Sequence, residues 1–151
     1  MSDLSAGTTV RALDFPPAVW ASDNTTQTNV SSTSFVPGSP EVGVSFTAPT
    51  SGRVRVDVSG GIRDDTGQWR GILAFEIYEG TTAGAKVISA SARGNGMSNM
   101  IESTGYQFHG RGSLVEGLTP GAVYYARTVQ AVSGGTSVDI FTRSLIVYPV
   151  P

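Results

Sequence analysis

Cysteine is absent from the 151 residues. That excludes a disulfide framework and thiolate metal sites, and it leaves the chain indifferent to the redox state of its compartment. Histidine occurs once, at His109, so a metal centre built on imidazole and thiolate is excluded by count. Charge is sparse. Charged residues make up 15% of the chain and the formal net charge is −2, which gives no electrostatic case for nucleic acid or an anionic membrane. No run of about 18 apolar residues occurs, so no membrane-inserted helix is expected. The opening Met1-Ser2-Asp3-Leu4-Ser5-Ala6-Gly7 has no basic flank and no apolar stretch, so no secretory signal is expected and synthesis is placed in the cytoplasm. On that footing the sequons Asn24-Thr25-Thr26 and Asn29-Val30-Ser31 read as coincidence. Lys, Glu and Leu are scarce, with Lys86 the one lysine against nine arginines, and no stretch carries helical periodicity.

What remains abundant is Gly, Ser, Thr and Val, the vocabulary of strands and turns. The clearest segment is Phe46-Thr47-Ala48-Pro49-Thr50-Ser51-Gly52-Arg53-Val54-Arg55-Val56-Asp57-Val58. Pro49 ends a first strand because it cannot donate to a ladder. Thr50, Ser51 and Gly52 turn the chain. Val54, Val56 and Val58 then alternate with Arg55 and Asp57, a period of two with one dry face and one wet face. Strands are expected near 42–48, 53–59, 71–79, 86–92, 104–116, 122–132 and 136–148, with a further one at 30–36. Gly80–Gly84 reads as a turn and Ser133-Gly134-Gly135-Thr136 as a tight hairpin. Strands at this spacing in a chain without helices predict an all-β, antiparallel jelly-roll-like β-sandwich over residues 41–151.

Residues 1–40 read differently, as an extended N-terminal arm. Leu13-Asp14-Phe15-Pro16-Pro17-Ala18-Val19-Trp20 is apolar but broken by a proline pair, and residues 23–34 are almost wholly Asn, Thr, Gln and Ser. Leu13, Phe15, Val19 and Trp20 are costly to leave in water. They either pack on the domain's own sheet or dock on a neighbouring subunit. On the docking reading, a domain cut at residue 40 stays folded.

Phe46-x-Ala-Pro-x-Ser-Gly-Arg-Val-x-Val resembles an early strand pair of the complement/tumour-necrosis-factor-like jelly rolls. Gly117-Leu118-Thr119-Pro120-Gly121-Ala122-Val123-Tyr124 and the terminal Ser144-Leu145-Ile146-Val147-Tyr148 look like later segments of the same family. Val54 and Val56 stand where that family usually has aromatics, and Ser144 where it usually has glycine. Across the whole chain, Asp3–Val10, Asp14-Phe15-Pro16-Pro17, Phe46–Val58, Gly117–Gly121 and Val132–Thr136 resemble small virion proteins of tailed phages that infect actinobacteria. The first resemblance implies a homotrimer, with Tyr78, Tyr124, Phe141 and Tyr148 as the residues available for the subunit interface. The alternative is that these four are ordinary core or scattered surface. The second implies a virion component whose partners are itself and other capsid or tail proteins.

Catalytic chemistry is hard to find. A Ser-His-Asp triad would have to use His109, which lies in the strand-like Phe108-His109-Gly110, and no G-x-S-x-G elbow is present. Asp65-Thr66-Gly67 copies the tripeptide of aspartic proteases, but no second half follows. Asp64 and Asp65 lack the spacing of a calcium loop and read as a polar turn, so replacing both with Ala is expected to leave stability unchanged. Gly94-Asn95-Gly96 and Gly110-Arg111-Gly112 lack the third glycine and helix of a nucleotide site. No cofactor is implied, and the chain reads as a non-enzyme. The longest irregular insertion, Arg93–Ser103, offers Asn95, Met97, Asn99 and Met100 for recognition, or else serves as a packed connection. Three functions compete. One is a capsid decoration protein seated through the arm, and another is a tail fibre or tail-tip module that binds a host surface glycan or protein through the 94–103 loop. The third, a carbohydrate-active enzyme, lacks a suitable carboxylate pair.

Overall fold

In a computed structural model, residues 11–64, 66, 68–100, 104–135 and 137–151 are described. They form two antiparallel sheets packed face to face, with one 3-10 turn at Ala12–Asp14. The jelly-roll-like sandwich predicted from strand spacing is the observed architecture. One sheet contains β1 (Val19–Asp23), β2 (Gln27–Val30), β5 (Val54–Arg63), β9 (Gln107–Val115) and β11 (Val138–Pro149). Its order is β1-β11-β5-β9, with β2 also paired to β11. The other contains β3 (Val36–Pro37), β4 (Gly43–Thr47), β6 (Gly71–Glu79), β7 (Lys86–Ile88), β8 (Met97–Ser98) and β10 (Val123–Val132). Its order is β3-β10-β6-β7, with β4 on β10 and β8 on β6.

The alternating valines do what their period demands. Val54, Val56 and Val58 of β5 are fully buried, and they meet Leu73, Phe75 and Ile77 of β6 in one core. Ile140, Leu145 and Val147 of β11 and Ala126 of β10 complete it. Phe46 and Tyr124 stack inside, with ring centroids 5.7 Å apart.

The turns hold a correction. Pro49–Gly52 is a turn, with the Gly52 N–H donating to the Pro49 carbonyl at 2.9 Å. Gly52 has φ +66°, and a Cβ there would strike the Leu118 carbonyl, so both conformation and space require glycine. Yet β4 and β5 do not pair. The turn carries the chain from one sheet to the other. Leu118–Gly121 does the same between β9 and β10. Ser133-Gly134-Gly135 also crosses between sheets instead of closing a tight hairpin, and Thr136 lies outside the described residues. A tight turn has the same chemistry whether the next strand pairs with the last or faces it across the core. Partner choice is settled by which strands can share a dry face. Gly80–Gly84, between the paired β6 and β7, is a hairpin within one sheet.

Residues 19–37 belong to the sandwich, so a boundary at residue 40 cuts through both sheets. β1 pairs with β11 from Val19↔Val147 to Asp23↔Arg143, β2 pairs with β11, and β3 pairs with β10. Val19 and Ala21 pack against the core. The predicted strand at 30–36 is in fact two short strands on different sheets, and β1 was not expected at all.

The segment is locked by Arg143. A β-bulge between Phe141 and Ser144 places one extra residue opposite β5, and Thr142 takes φ 51°. Phe141 therefore points outward while Arg143, two residues on, points inward and is fully buried. Its guanidinium donates to Asp23 at 2.8 Å and to the Pro40 carbonyl at 2.9 Å. Gly38 lies so close that a Cβ would fall on the guanidinium.

Two outcomes follow. Arg143→Met lowers the denaturant midpoint with an unchanged slope, because Asp23 and the Pro40 carbonyl lose their shared donor. Removing residues 1–40 takes away three strands and leaves a chain without cooperative unfolding, whereas removing 1–10 does not; far-UV circular dichroism through a thermal ramp separates the two.

Candidate functional site

The outer faces of the two sheets differ in chemistry. On the β3-β10-β6-β7 sheet the alternation of β6 turns Glu76 and Tyr78 outward, opposite Leu73, Phe75 and Ile77. Glu76 accepts from Lys86 at 2.5 Å, from Tyr78 at 2.6 Å and from Arg127 at 3.3 Å. Arg127 also bonds Glu41 at 2.8 Å and the Tyr78 hydroxyl at 3.0 Å. Burial would raise the Glu76 pKa, but the bonds from Lys86, Tyr78 and Arg127 outweigh it and hold the carboxyl below its ordinary value. Burial and the Glu41 carboxylate push the Tyr125 phenol up to about 12. Each acid here is matched by a base or a phenol, which describes a covering layer and not a reactive centre.

The other outer face is mixed, with an aromatic cluster at one end and the Arg63–Asp139 and Arg55–Asp57 ion pairs along its middle strand. Phe141, outward by the alternation of β11, lies across Gly61, where a Cβ would enter its ring. Tyr106 meets the Phe141 ring edge-on at 4.5 Å and Phe108 does so at 5.1 Å. The Arg63 guanidinium sits 4.7 Å from the Tyr106 ring centroid and bonds Asp139 at 2.7 Å. Phe108 is 67% exposed, and Tyr106 and Leu114 are more than half exposed. Across the same face, on β1, Trp20 is 68% exposed and stands opposite Ile146 of β11. Tyr148 is half-buried there and donates to Asp57 at 3.0 Å; that bond is the main reason its phenol titrates above its ordinary value.

The predicted residues divide. Of the four interface candidates, Phe141 and Tyr148 lie on this face. Tyr124 is in the core, its hydroxyl accepting from the Thr119 N–H at 2.9 Å. Tyr78 is buried in the ionic layer. Neither presents a surface to a partner, because each ring is consumed within the chain. Of the arm residues, Val19 packs inward, while Leu13, Phe15 and Trp20 are exposed. The stretch around Leu13 is tied to the domain: the Thr50 N–H donates to the Leu13 carbonyl at 3.2 Å, and the Thr50 hydroxyl to Asp14 at 2.7 Å.

Residues 95–99 of the predicted recognition loop turn inward. Asn95 donates to the Phe75 carbonyl at 3.1 Å and the Ser89 carbonyl at 3.2 Å, and accepts from the Ser91 N–H. Asn99 accepts from the Gly71 N–H at 2.7 Å and donates to the Trp69 carbonyl. Met97 lies in the core. Of the loop's four candidates Met100 alone is exposed, and residues 101–103 lie outside the described residues. These amides stand in for missing ladder partners at a sheet edge, which consumes the donors a ligand would need.

Asp64 is also structural. It is fully buried and accepts from the Trp69 N–H at 2.6 Å, the Thr66 N–H at 2.9 Å and the Thr66 hydroxyl at 2.8 Å. Burial would raise its pKa, but these bonds prevail and lower it. Asp65 and Gly67 lie outside the described residues. His109 sits on β9 with its Nε2 3.2 Å from Gln107 Oε1. Among the described residues no three His, Cys, Asp or Glu side chains gather as a metal site. Tyr106, Phe108 and Leu114 were missed by sequence reading. Their alternation on β9 with His109, Arg111 and Ser113 was the available signal.

No protein-family model and no curated protein matches the sequence. Solved structures do match in fold. Infectious bursal disease virus, Gx strain, superposes with a TM-score of 0.54 at 16% identity, over 99% of this chain and 36% of that one. The VP2 subviral particle of the same virus gives 0.52 at 15% identity, over 99% and 37%. This chain thus spans little more than a third of those chains. At these identities what is shared is the two-sheet fold.

Asp64→Ala removes an acceptor from three donors and destabilises the protein by about 1–3 kcal/mol, with or without calcium, in chemical unfolding. This replaces the expectation of an unchanged stability. Asp64 and Glu76 both have folded pKa values below their unfolded ones, so their contribution is complete at neutral pH. It is lost as pH falls below the ordinary values of 3.8 and 4.5. The melting temperature is therefore level from about pH 8 to 5 and drops below about pH 4, measured by calorimetry.

Proposed function

We propose that this chain is a non-enzymatic structural protein of a virus particle, a homotrimeric decoration protein seated on the outside of a phage shell. The observation that carries the reading is the cluster formed by exposed Tyr106 and Phe108 around half-buried Phe141 on one outer face of the sandwich. Water-exposed aromatics gathered on a sheet face mark a surface that another protein covers. The two-sheet fold shared with a virus particle protein supports a virion role, and so does the likeness of the sequence to small phage virion proteins.

The apolar residues fall at opposite edges of the face. Tyr106, Phe108 and Leu114 belong to the β9 edge, and Trp20 belongs to the β1 edge, with Leu13 and Phe15 just before it in the chain. The β9 edge serves contact between copies around a threefold axis. The β1 edge, with Leu13, Phe15 and Trp20, serves contact with the shell. This replaces the docked arm by exposed side chains on a segment that is itself folded into the domain. The reading rests on protein partners, with no role for nucleic acid, a membrane or a cofactor.

Light scattering coupled to size exclusion tests the threefold contact. Phe108→Ser with Leu114→Ser gives a folded monomer where the parent chain gives a trimer. A monomeric parent chain, or a variant that stays trimeric, refutes the β9 edge as the contact. Cryo-EM of whole particles tests the location, with density for this chain expected on the shell surface at threefold positions.

A further inference from the structure

The segment that closes the end of the sandwich also builds a pocket. Its walls are β2 and the chain at 31–39, and its volume is about 460 Å³, within the 300–1,000 Å³ typical of small-molecule sites. The wall is preorganised. Gln27 clamps Ser39 through two bonds, its side-chain N–H donating to the Ser39 carbonyl at 2.6 Å and its carbonyl accepting from the Ser39 N–H at 2.7 Å. Asn29, at φ 57°, anchors β2 from the other side, its N–H donating to Asp139 at 3.1 Å and its side chain accepting from Ser137 at 3.2 Å.

The lining has one chemistry. Thr25, Thr26, Thr28, Ser31 and Ser32 supply hydroxyls, Gln130 supplies an amide, and Val30 and Val36 supply apolar surface. No charged side chain lines the pocket. Gln130 is 4% exposed, and its unpaired Oε1 faces inward beside Gly38 and the Arg143 guanidinium, so the pocket's accessible polar groups are its hydroxyls. Among the described residues, the hydroxyls of Thr26, Thr28 and Ser31 make no hydrogen bond within the chain.

We infer that this pocket binds a neutral saccharide. A hydroxyl wall that can donate or accept at each position matches a polyol, whose every group does the same. The two valines match the C–H face of a pyranose ring. The absence of lining charge argues against phosphate, carboxylate sugars and metal ions. A single ring held by a few neutral hydrogen bonds binds weakly, with Kd on the order of 1 mM, and repeated copies on one particle raise the avidity. The inference stands apart from the shell-surface proposal, since it concerns the isolated chain.

The test uses the purified full chain on an array of neutral and sialylated oligosaccharides. Ligand-observed NMR then follows with free galactose and N-acetylglucosamine at about 10 mM. Binding to neutral glycans, weakened at least tenfold by Thr28→Val with Ser31→Ala, is expected. Both substitutions are at exposed positions, and the melting curve checks that the fold is kept; Ser31→Trp, which fills the pocket, abolishes binding. Silence on the array and in NMR overturns the inference. So does a preference for sialylated glycans, binding that survives both variants, or pull-down of a peptide in place of a saccharide.

Discussion

A guanidinium with no access to water holds the sandwich closed. Arg143 faces inward only because the bulge at Thr142 inserts one residue against β5. That device carries a left-handed threonine at a cost of about 1–3 kcal/mol. The charge, once buried, must be matched, and Asp23 and the Pro40 carbonyl match it. Those two partners lie at either end of the polar stretch that crosses from one sheet to the other. Phe141, the last residue before the bulge, faces the opposite surface, where Tyr106 and Phe108 gather on it. One inserted residue thus lets an outward phenylalanine and an inward arginine stand two positions apart on one strand.

The two outer faces then diverge. Over β6 and β10 the exposed side is covered by interlocked charges, with Glu76 at its centre. Over β5, β9 and β11 it carries an aromatic cluster on glycine at one end and the Arg55–Asp57 and Arg63–Asp139 ion pairs beside it. The first arrangement is finished within the chain. The second leaves apolar area facing water, which single-chain stability does not require. The proposed assembly role gives that area a use.

The valine alternation in β5 and the alternation in β6 were legible because a period of two has one meaning on a half-buried sheet. The stops at Pro49 and the glycines were equally legible. Three things were not. Whether a turn pairs its strands or passes between layers depends on distant partners, so Ser133–Gly135 reads like a hairpin and is a crossover. β1 and β2 carry the composition of a loop, and they become strands because β11 offers an open ladder and Arg143 a charge. Asn95 and Asn99 look like free recognition groups and Asp64 like part of a plain polar turn, yet each bonds backbone groups of its own chain. Polar residues in irregular segments have the same composition whether they face a ligand or the chain itself. Of the interface candidates, Tyr124 and Tyr78 carry the same ring as Tyr148, and only their registers separate core from surface.

The place of β11 in its sheet has a consequence for synthesis. The last strand of the chain lies between β1 and β2 on one side and β5 on the other, and its end is held by bonds from Ser51 to the Val150 carbonyl and from Arg53 to the Pro151 carbonyl. A nascent chain leaves the ribosome with β1, β2 and β5 already made and their shared neighbour still missing. Until β11 emerges the sheet has a gap in its middle, with two unpaired edges open to other chains. This sheet cannot close in the order in which its strands are made. Its first strands wait for its last, and high local synthesis would raise the chance that a neighbouring copy's β11 fills the gap instead.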